Sequence, residues 1–318
     1  HVPESFFNQT FGATEDDIFY PMARLFFNLC LMVTVSGLYH KAVVILDPER
    51  PTPERVFEVT TRYKPTIFSG VPTLFANMLA VSDADKYDLS SIRLCFSAGE
   101  TLPPGLFSKF KDKFGIELLD GIGCTEAGNW YICNRPGRIK LGSTGELIPE
   151  CEVKIVDGEL QKLPRGEVGE LMLKTDSTAT SYWNKHEKSK ETFVGEWLRT
   201  GDMFYQDEEG YFWFKGRVDD IIQAGGIKVI PTEVEKALVE HPAVVECAVV
   251  GAPDEHGLDK PKAFVITSPG YQPSPELVQE LQQFVKAKIA PFNYPRWIEF
   301  VEELPRTATG KIQRFKLR

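Results

Sequence analysis

Along the first 135 positions, apolar residues come in short blocks separated by turn chemistry, and their spacing changes from block to block. VVIL (43–46), PTIFSG (65–70) and IRLCFSAG (92–99) are runs of strand length that end in turn-forming residues. Such runs read as strands buried on both faces. Between them, PTPERVFEVTTRYK (51–64) and PPGLFSKFKDKFG (103–115) carry apolar residues at helical spacing behind a proline near the start. A proline there sacrifices no helical hydrogen bond. Strand and helix in alternation predict a largely parallel, doubly wound sheet, whose ligands sit at the carboxyl ends of the strands. SAGE (97–100) and DGIGCTE (120–126) fall at such ends. The longest apolar stretch, LFFNLCLMVTVSGLYHKAVVIL (25–46), is broken by Asn28, Ser36, His40 and Lys41. It is too interrupted for a membrane span and predicts a buried helix followed by a buried strand.

From about 140 to 216 the pattern turns to short β-rich segments, ECEVKIVDG, GEVGELMLKT and GYFWFKG, with turn residues between them. A sharper break follows at GRVDD (216–220). Beyond it lie IIQAGGIKVI, the helical PTEVEKALVEH, two strand-like runs VVECAVVGAP and KPKAFVI, and the helical SPELVQELQQFVKAKI. The expected fold class is α/β: a partial doubly wound sheet with a small β sub-domain, followed by a smaller α+β C-terminal domain. The expected boundaries are 1–218, with an α/β part at 1–139 and a β-rich part at 140–218, and then 219–318.

Composition narrows the function classes. With 318 residues and a net charge of −9, the chain is a poor match for a nucleic-acid binder that relies on phosphate neutralisation. Its six cysteines form no CxxC and its five histidines no HxxxH. Neither a zinc site nor a disulfide framework is expected, and without a targeting signal the expected location is the reducing cytoplasm, away from any membrane. The opening HVPESFFNQTFG carries no mark of a natural beginning, so the chain is expected to be part of something longer.

Each chemistry-bearing motif has a plain structural reading. SAGE could cap a helix, and the Thr125–Glu126 pair could be an N-cap, since helix-compatible residues follow it. WLRTGD (197–202) could be a turn in which Gly201 takes a positive φ. GRVDD could be a solvated linker, and TATGKIQRF (307–315) a hairpin with an exposed lysine. Together, their residue types are those needed to activate a carboxylate with ATP. A carboxylate has only oxide to expel; a mixed anhydride with AMP supplies a better leaving group. That chemistry calls for an adenine platform, a carboxylate for the ribose, a carboxylate for Mg²⁺ and a lysine near the acyl oxygen.

The ordered series SAGE, DGIGCTE, GEL, RTGD, GRVDD, GIK and TATGK resembles that of the AMP-forming acyl-CoA synthetases and related adenylating enzymes, across nearly all of the chain. ATGKIQR, PDEHGLDKPKAF (253–264) and DGIGCTE most resemble benzoate-CoA ligase and its aryl or alicyclic relatives. The resemblance implies that Thr125 contacts the α-phosphate, Glu126 holds Mg²⁺ and Lys311 serves adenylation. It puts Gly99, Glu100, Asp120, Gly121 and Ile122 around adenine, with Ile122 where many relatives have a stacking tyrosine. Asp202 would accept the ribose hydroxyls and Arg217 would support ribose and phosphate. Asp219 would be the hinge of a mobile C-terminal domain, and Gly225, Gly226 and Lys228 would face the pantetheine of coenzyme A.

Phe26, Phe27, Leu29, Val71, Asn129 and Trp130 are the expected lining of the acid pocket, with Trp130 equally readable as core. The implied activity is ATP-dependent thioesterification of an aromatic or related small carboxylic acid with coenzyme A. Two readings stay open beside it: a catalytically incomplete nucleotide-binding fragment, or an adenylating enzyme that delivers to a carrier protein. The family's phosphate loop, rich in Ser, Thr and Gly, has no counterpart here. The sequence leaves open a separate N-terminal portion or a homodimer as partner.

Overall fold

In a computed structural model describing residues 3–224, 227–307 and 312–318, the chain forms two compact units. The first comprises residues 1–200 and 204–214, the second 201–203 and 215–318.

The first unit is built on a seven-stranded sheet. Its strands are β1 (Ile18–Pro21), β2 (Val43–Val44), β3 (Ile67–Gly70), β4 (Leu94–Ser97), β5 (Leu118–Cys124), β6 (Asn129–Cys133) and β7 (Glu146–Leu147), in the order β2-β1-β3-β4-β5-β6-β7. The pairings from β2 through β5 are parallel, whereas β6 and β7 run antiparallel. Helices α1 (Asn28–Tyr39), α2 (Pro53–Tyr63), α3 (Pro72–Ala80) and α4 (Pro104–Phe114) connect the parallel strands. The sequence signals are visible in the helix ends. Thr52 accepts the Arg55 N–H ahead of Pro53, and Gly115 closes α4 at φ +72°, the left-handed conformation that glycine adopts without penalty.

Two cores flank this sheet. One packs α2, α3 and α4 around Tyr20, Phe57, Phe68, Phe75 and Phe110. The other sets the wide-turn helix Pro3–Thr10 against the opposite face through Phe6, Phe7, Phe96 and Trp130. Asp17 ties together the amino ends of β1, β3 and β4: it accepts from Arg93 Nε at 2.8 Å and Nη2 at 2.6 Å, from the Thr66 hydroxyl at 2.6 Å and from the Thr14 N–H at 2.9 Å. The same guanidinium donates to the Phe11 and Gly12 carbonyls.

The apolar stretch at 25–46 differs from its expected burial. Cys30 and Val33 are core, but Leu31, Val35, Leu38, Tyr39, Val43 and Leu46 are exposed. The helix is apolar on every side, and this unit covers only one of them. β2 is the sheet's edge strand, so its pairing is one-sided.

The β-rich region forms a five-stranded sheet of β8 (Glu152–Val156), β9 (Gly169–Lys174), β10 (Phe193–Val194), β11 (Trp197–Gln206) and β12 (Phe212–Arg217), with α5 (His186–Thr192) between β9 and β10. The second unit continues through the β13 (Ile222–Ala224) and β14 (Ile227–Val229) pair. A sheet of β15 (Val244–Pro253), β16 (Asp259–Thr267) and β17 (Trp297–Phe300) follows, with α6 (Pro231–Val239) and α7 (Pro275–Lys288) packed on it. Its last segment is tied down by Arg314, whose Nη2 donates to both oxygens of Glu235 at 2.9 and 2.8 Å. Burial raises the Glu235 carboxyl above its ordinary range, and Arg314 opposes that rise.

No helix among the described residues is long and apolar enough to cross a membrane. All six cysteines are free.

Candidate active site

In the first unit, parallel pairing aligns Ser97 of β4 with Asp120 of β5, so the ends of the two motif-bearing strands lie side by side. Gly99 turns the chain out of β4 at φ +87°, and a Cβ added to it would contact Val71 at 3.7 Å. Glu100 follows. Its Oε2 accepts from the Thr73 hydroxyl at 2.9 Å, whereas Oε1 is shielded from solvent and without a partner. An unpaired acceptor of this kind is costly unless a ligand donor meets it. Burial pushes the Asp120 carboxyl well above the usual range, and the Gly121 and Leu102 backbone groups only partly offset this.

The glycines of DGIGCTE have a structural role that the sequence did not show. β5 runs on through them to Cys124 and pairs with β6. A Cβ on Gly121 would lie 2.8 Å from Cys133 Sγ and 3.1 Å from the Ile132 carbonyl. Gly121 is therefore required by a neighbouring strand. Ile122 packs, partly buried, against the core of the β-rich region. The N-cap reading of Thr125 fails for a simple reason: residues 125–128 form a turn and strand β6 follows, not a helix. Thr125 is exposed on that turn, and Glu126 beside it is half-buried.

Glu126 is gripped by a loop that the sequence did not single out. Its carbonyl accepts the Ala179 N–H at 2.7 Å, and its Oε1 accepts from the Tyr182 hydroxyl at 2.7 Å. Burial, followed by this hydrogen bond, pushes the Tyr182 phenol up to about 12. The usable signal was a tyrosine in the polar run STATSYWN: such a ring usually finds a partner for its hydroxyl.

The remaining expected pocket residues are spread across the first unit. Phe26 is 76% exposed, Phe27 precedes α1, and Leu29 packs at the margin of the core. Val71 borders α3, and Asn129 opens β6. Trp130 is 4% exposed and stacks on Phe6 at 4.7 Å between ring centroids.

In the second unit, Asp202 is buried and accepts from Arg217 Nη1 at 2.7 Å. WLRTGD is not a loop turn: Gly201 lies within β11 at φ +70°, and a Cβ there would meet Arg217 Nη2 at 2.8 Å. Glycine thus lets the guanidinium cross the strand to reach Asp202. Asp219 sits in the 3₁₀ turn Val218–Asp220, where its carbonyl accepts from Arg318 at 3.1 Å and the Asp220 carboxylate accepts the same nitrogen at 2.5 Å. Lys228 is exposed on β14. Gly225, Gly226 and Lys311 lie outside the described residues. Arg306 and Ile312, which bracket 307–311, form an antiparallel bridge.

Among the described residues, no three His, Cys, Asp or Glu side chains gather to hold a metal ion. A lone carboxylate such as Glu126 still suits Mg²⁺, which keeps most of its waters and is bound largely through substrate phosphates.

Comparison with known proteins decides the family. Residues 3–183 match the AMP-binding enzyme domain and residues 233–311 its C-terminal domain. The chain belongs to the AMP-binding enzyme family. Benzoate–CoA ligase of Thauera aromatica is 44% identical over all of this AMP-binding enzyme chain and 61% of its own length. The 4-hydroxybenzoate–CoA/benzoate–CoA ligase of Rhodopseudomonas palustris is 39% identical over 96% of this chain and 58% of its own length. The crystal structure of the anthranilate CoA ligase AuaEII in complex with anthranoyl-AMP superposes with a TM-score of 0.88 at 45% identity, over 99% of this chain and 62% of that one. The chain thus spans about three fifths of the relatives it matches.

Proposed function

We propose that this chain carries the adenylating and thioester-forming machinery of an ATP-dependent, AMP-forming acid–CoA ligase for an aromatic or related small carboxylic acid. The observation that carries this reading is the 44% identity to a benzoate–CoA ligase over the whole chain, with every motif in order. Mg²⁺ would neutralise charge on the nucleotide phosphates, and Glu126 would hold it. Thr125 would donate to the α-phosphate. Glu100, with its unpaired Oε1, would receive a donor from the adenine side. Asp202, already oriented by Arg217, would accept the ribose hydroxyls. Lys311 would bring positive charge to the acyl and phosphate oxygens, and GRVDD around Asp219 would let its domain turn so that Gly225, Gly226 and Lys228 meet coenzyme A.

The partial coverage of the relatives favours a second reading, a nucleotide-binding portion that is incomplete for catalysis by itself. One experiment separates the two. Benzoate-dependent pyrophosphate release is measured for the chain alone and for the chain supplied with the segment of a benzoate ligase that it does not match. Release by the chain alone, falling by about 10²-fold or more in Lys311→Ala, supports the ligase reading in full. Release only with the added segment supports the second. Silence in both rejects the ligase reading.

A further inference from the structure

Between β9 and α5, residues 175–182 form a clasp over the turn that carries Glu126. Three hydrogen bonds close it: Ser177 Oγ to the Ala127 carbonyl at 2.7 Å, the Ala179 N–H to the Glu126 carbonyl at 2.7 Å, and the Tyr182 hydroxyl to Glu126 Oε1 at 2.7 Å. The clasp is braced from behind. The Tyr182 N–H donates to Ser189 Oγ at 2.9 Å, that hydroxyl donates to the Lys185 carbonyl at 2.8 Å, and the Tyr182 ring packs on Phe193 at 5.4 Å between centroids. Ser189 is a buried residue of α5, so the phenol approaches Glu126 from a fixed base. The first two bonds hold the backbone of the turn. Only the third acts on the carboxylate itself, and it occupies one oxygen while leaving Oε2 for another partner.

From this geometry we propose that Tyr182 is a positioning residue, locking the Glu126 carboxylate in the rotamer that offers Oε2 to the magnesium of the bound nucleotide. The assignment rests on the reading of Glu126 given above. A free glutamate side chain must lose rotamer freedom before it can ligate a cation; here that entropy is lost on folding instead of on binding.

The test is calorimetry of ATP binding to the 318-residue chain, with Mg²⁺ and with excess EDTA, for wild type, Tyr182→Phe and Glu126→Gln. Phenylalanine keeps the ring on Phe193 and removes only the hydroxyl. Tyr182→Phe should weaken MgATP binding by about tenfold, the worth of one such hydrogen bond, and leave binding in EDTA unchanged. Its melting temperature should stay near that of wild type. A merely structural tyrosine would lower the melting temperature and leave the Mg²⁺ dependence intact, which overturns the proposal. Should Glu126→Gln weaken MgATP binding while Tyr182→Phe does not, the positioning role falls and the metal assignment stands. Should neither variant respond to Mg²⁺, or should the wild-type chain bind no MgATP, both fall together.

Discussion

Asp17 shows how a single residue can fasten distant segments. It joins residues 14, 66 and 93 through four hydrogen bonds, two of them from a guanidinium. Despite its burial, the bonds from Arg93, Thr66 and Thr14 hold its carboxyl below the ordinary value of 3.8. A depressed folded-state value means that the carboxylate stabilises the fold above its ordinary value and that this contribution is lost as pH falls through the lowered one. Asp17→Asn should therefore cost about 2 kcal/mol near neutrality. The gap to wild type should narrow below about pH 4. Urea unfolding at the two pH values measures both. None of this was legible in the sequence, because Asp17 and Arg93 are 76 positions apart and neither belongs to a motif. Tyr182 escaped for the same reason, lying 56 positions from Glu126. What could be read at this scale was residue type within a local pattern, such as Thr125–Glu126 beyond a strand.

Elements were far more legible, because their signals are local. Pro at the helix starts, Gly at the end of α4 and uninterrupted apolar runs marked α2, α4, β3 and β4 to within two or three residues. Failures occurred where an element's meaning depends on its neighbour. DGIGCTE read as lying at the ligand-facing end of a strand, whereas β5 passes straight on through its glycines and β6 comes close. Gly121→Ala should therefore act as overpacking between two strands, destabilising the first unit by about 2 kcal/mol. The check is the urea midpoint at unchanged slope. Because the Thr125–Glu126 turn joins β5 to β6, the variant should also weaken MgATP binding by more than it weakens binding of ATP alone.

At the scale of the molecule, each unit has its own hydrophobic core, and the order of α/β, β-rich and α+β regions follows the order in which the patterns change along the sequence. The exposed face of α1 stands apart from this agreement. Pattern alone cannot say how many sides of an apolar helix a given unit will cover. Leu31, Val35, Leu38 and Tyr39 together form an apolar surface of the sort that soluble chains usually keep small. The native chain should bind an apolar fluorescent dye, and Val35→Glu with Leu38→Glu should reduce that signal at an unchanged melting temperature. If dye binding persists in the double variant, the patch lies elsewhere.

The stacking of Trp130 on Phe6 also has an optical consequence. An indole that is 4% exposed and edged by Phe7 and Phe96 emits from apolar surroundings, whereas Trp183, 89% exposed, emits from water. With Trp183, Trp197, Trp213 and Trp297 all replaced by phenylalanine, so that Trp130 alone emits, a red shift of the native emission would report the departure of the Pro3–Thr10 segment from strand β6. The chain therefore carries its own fluorophore for watching its amino-terminal helix dock.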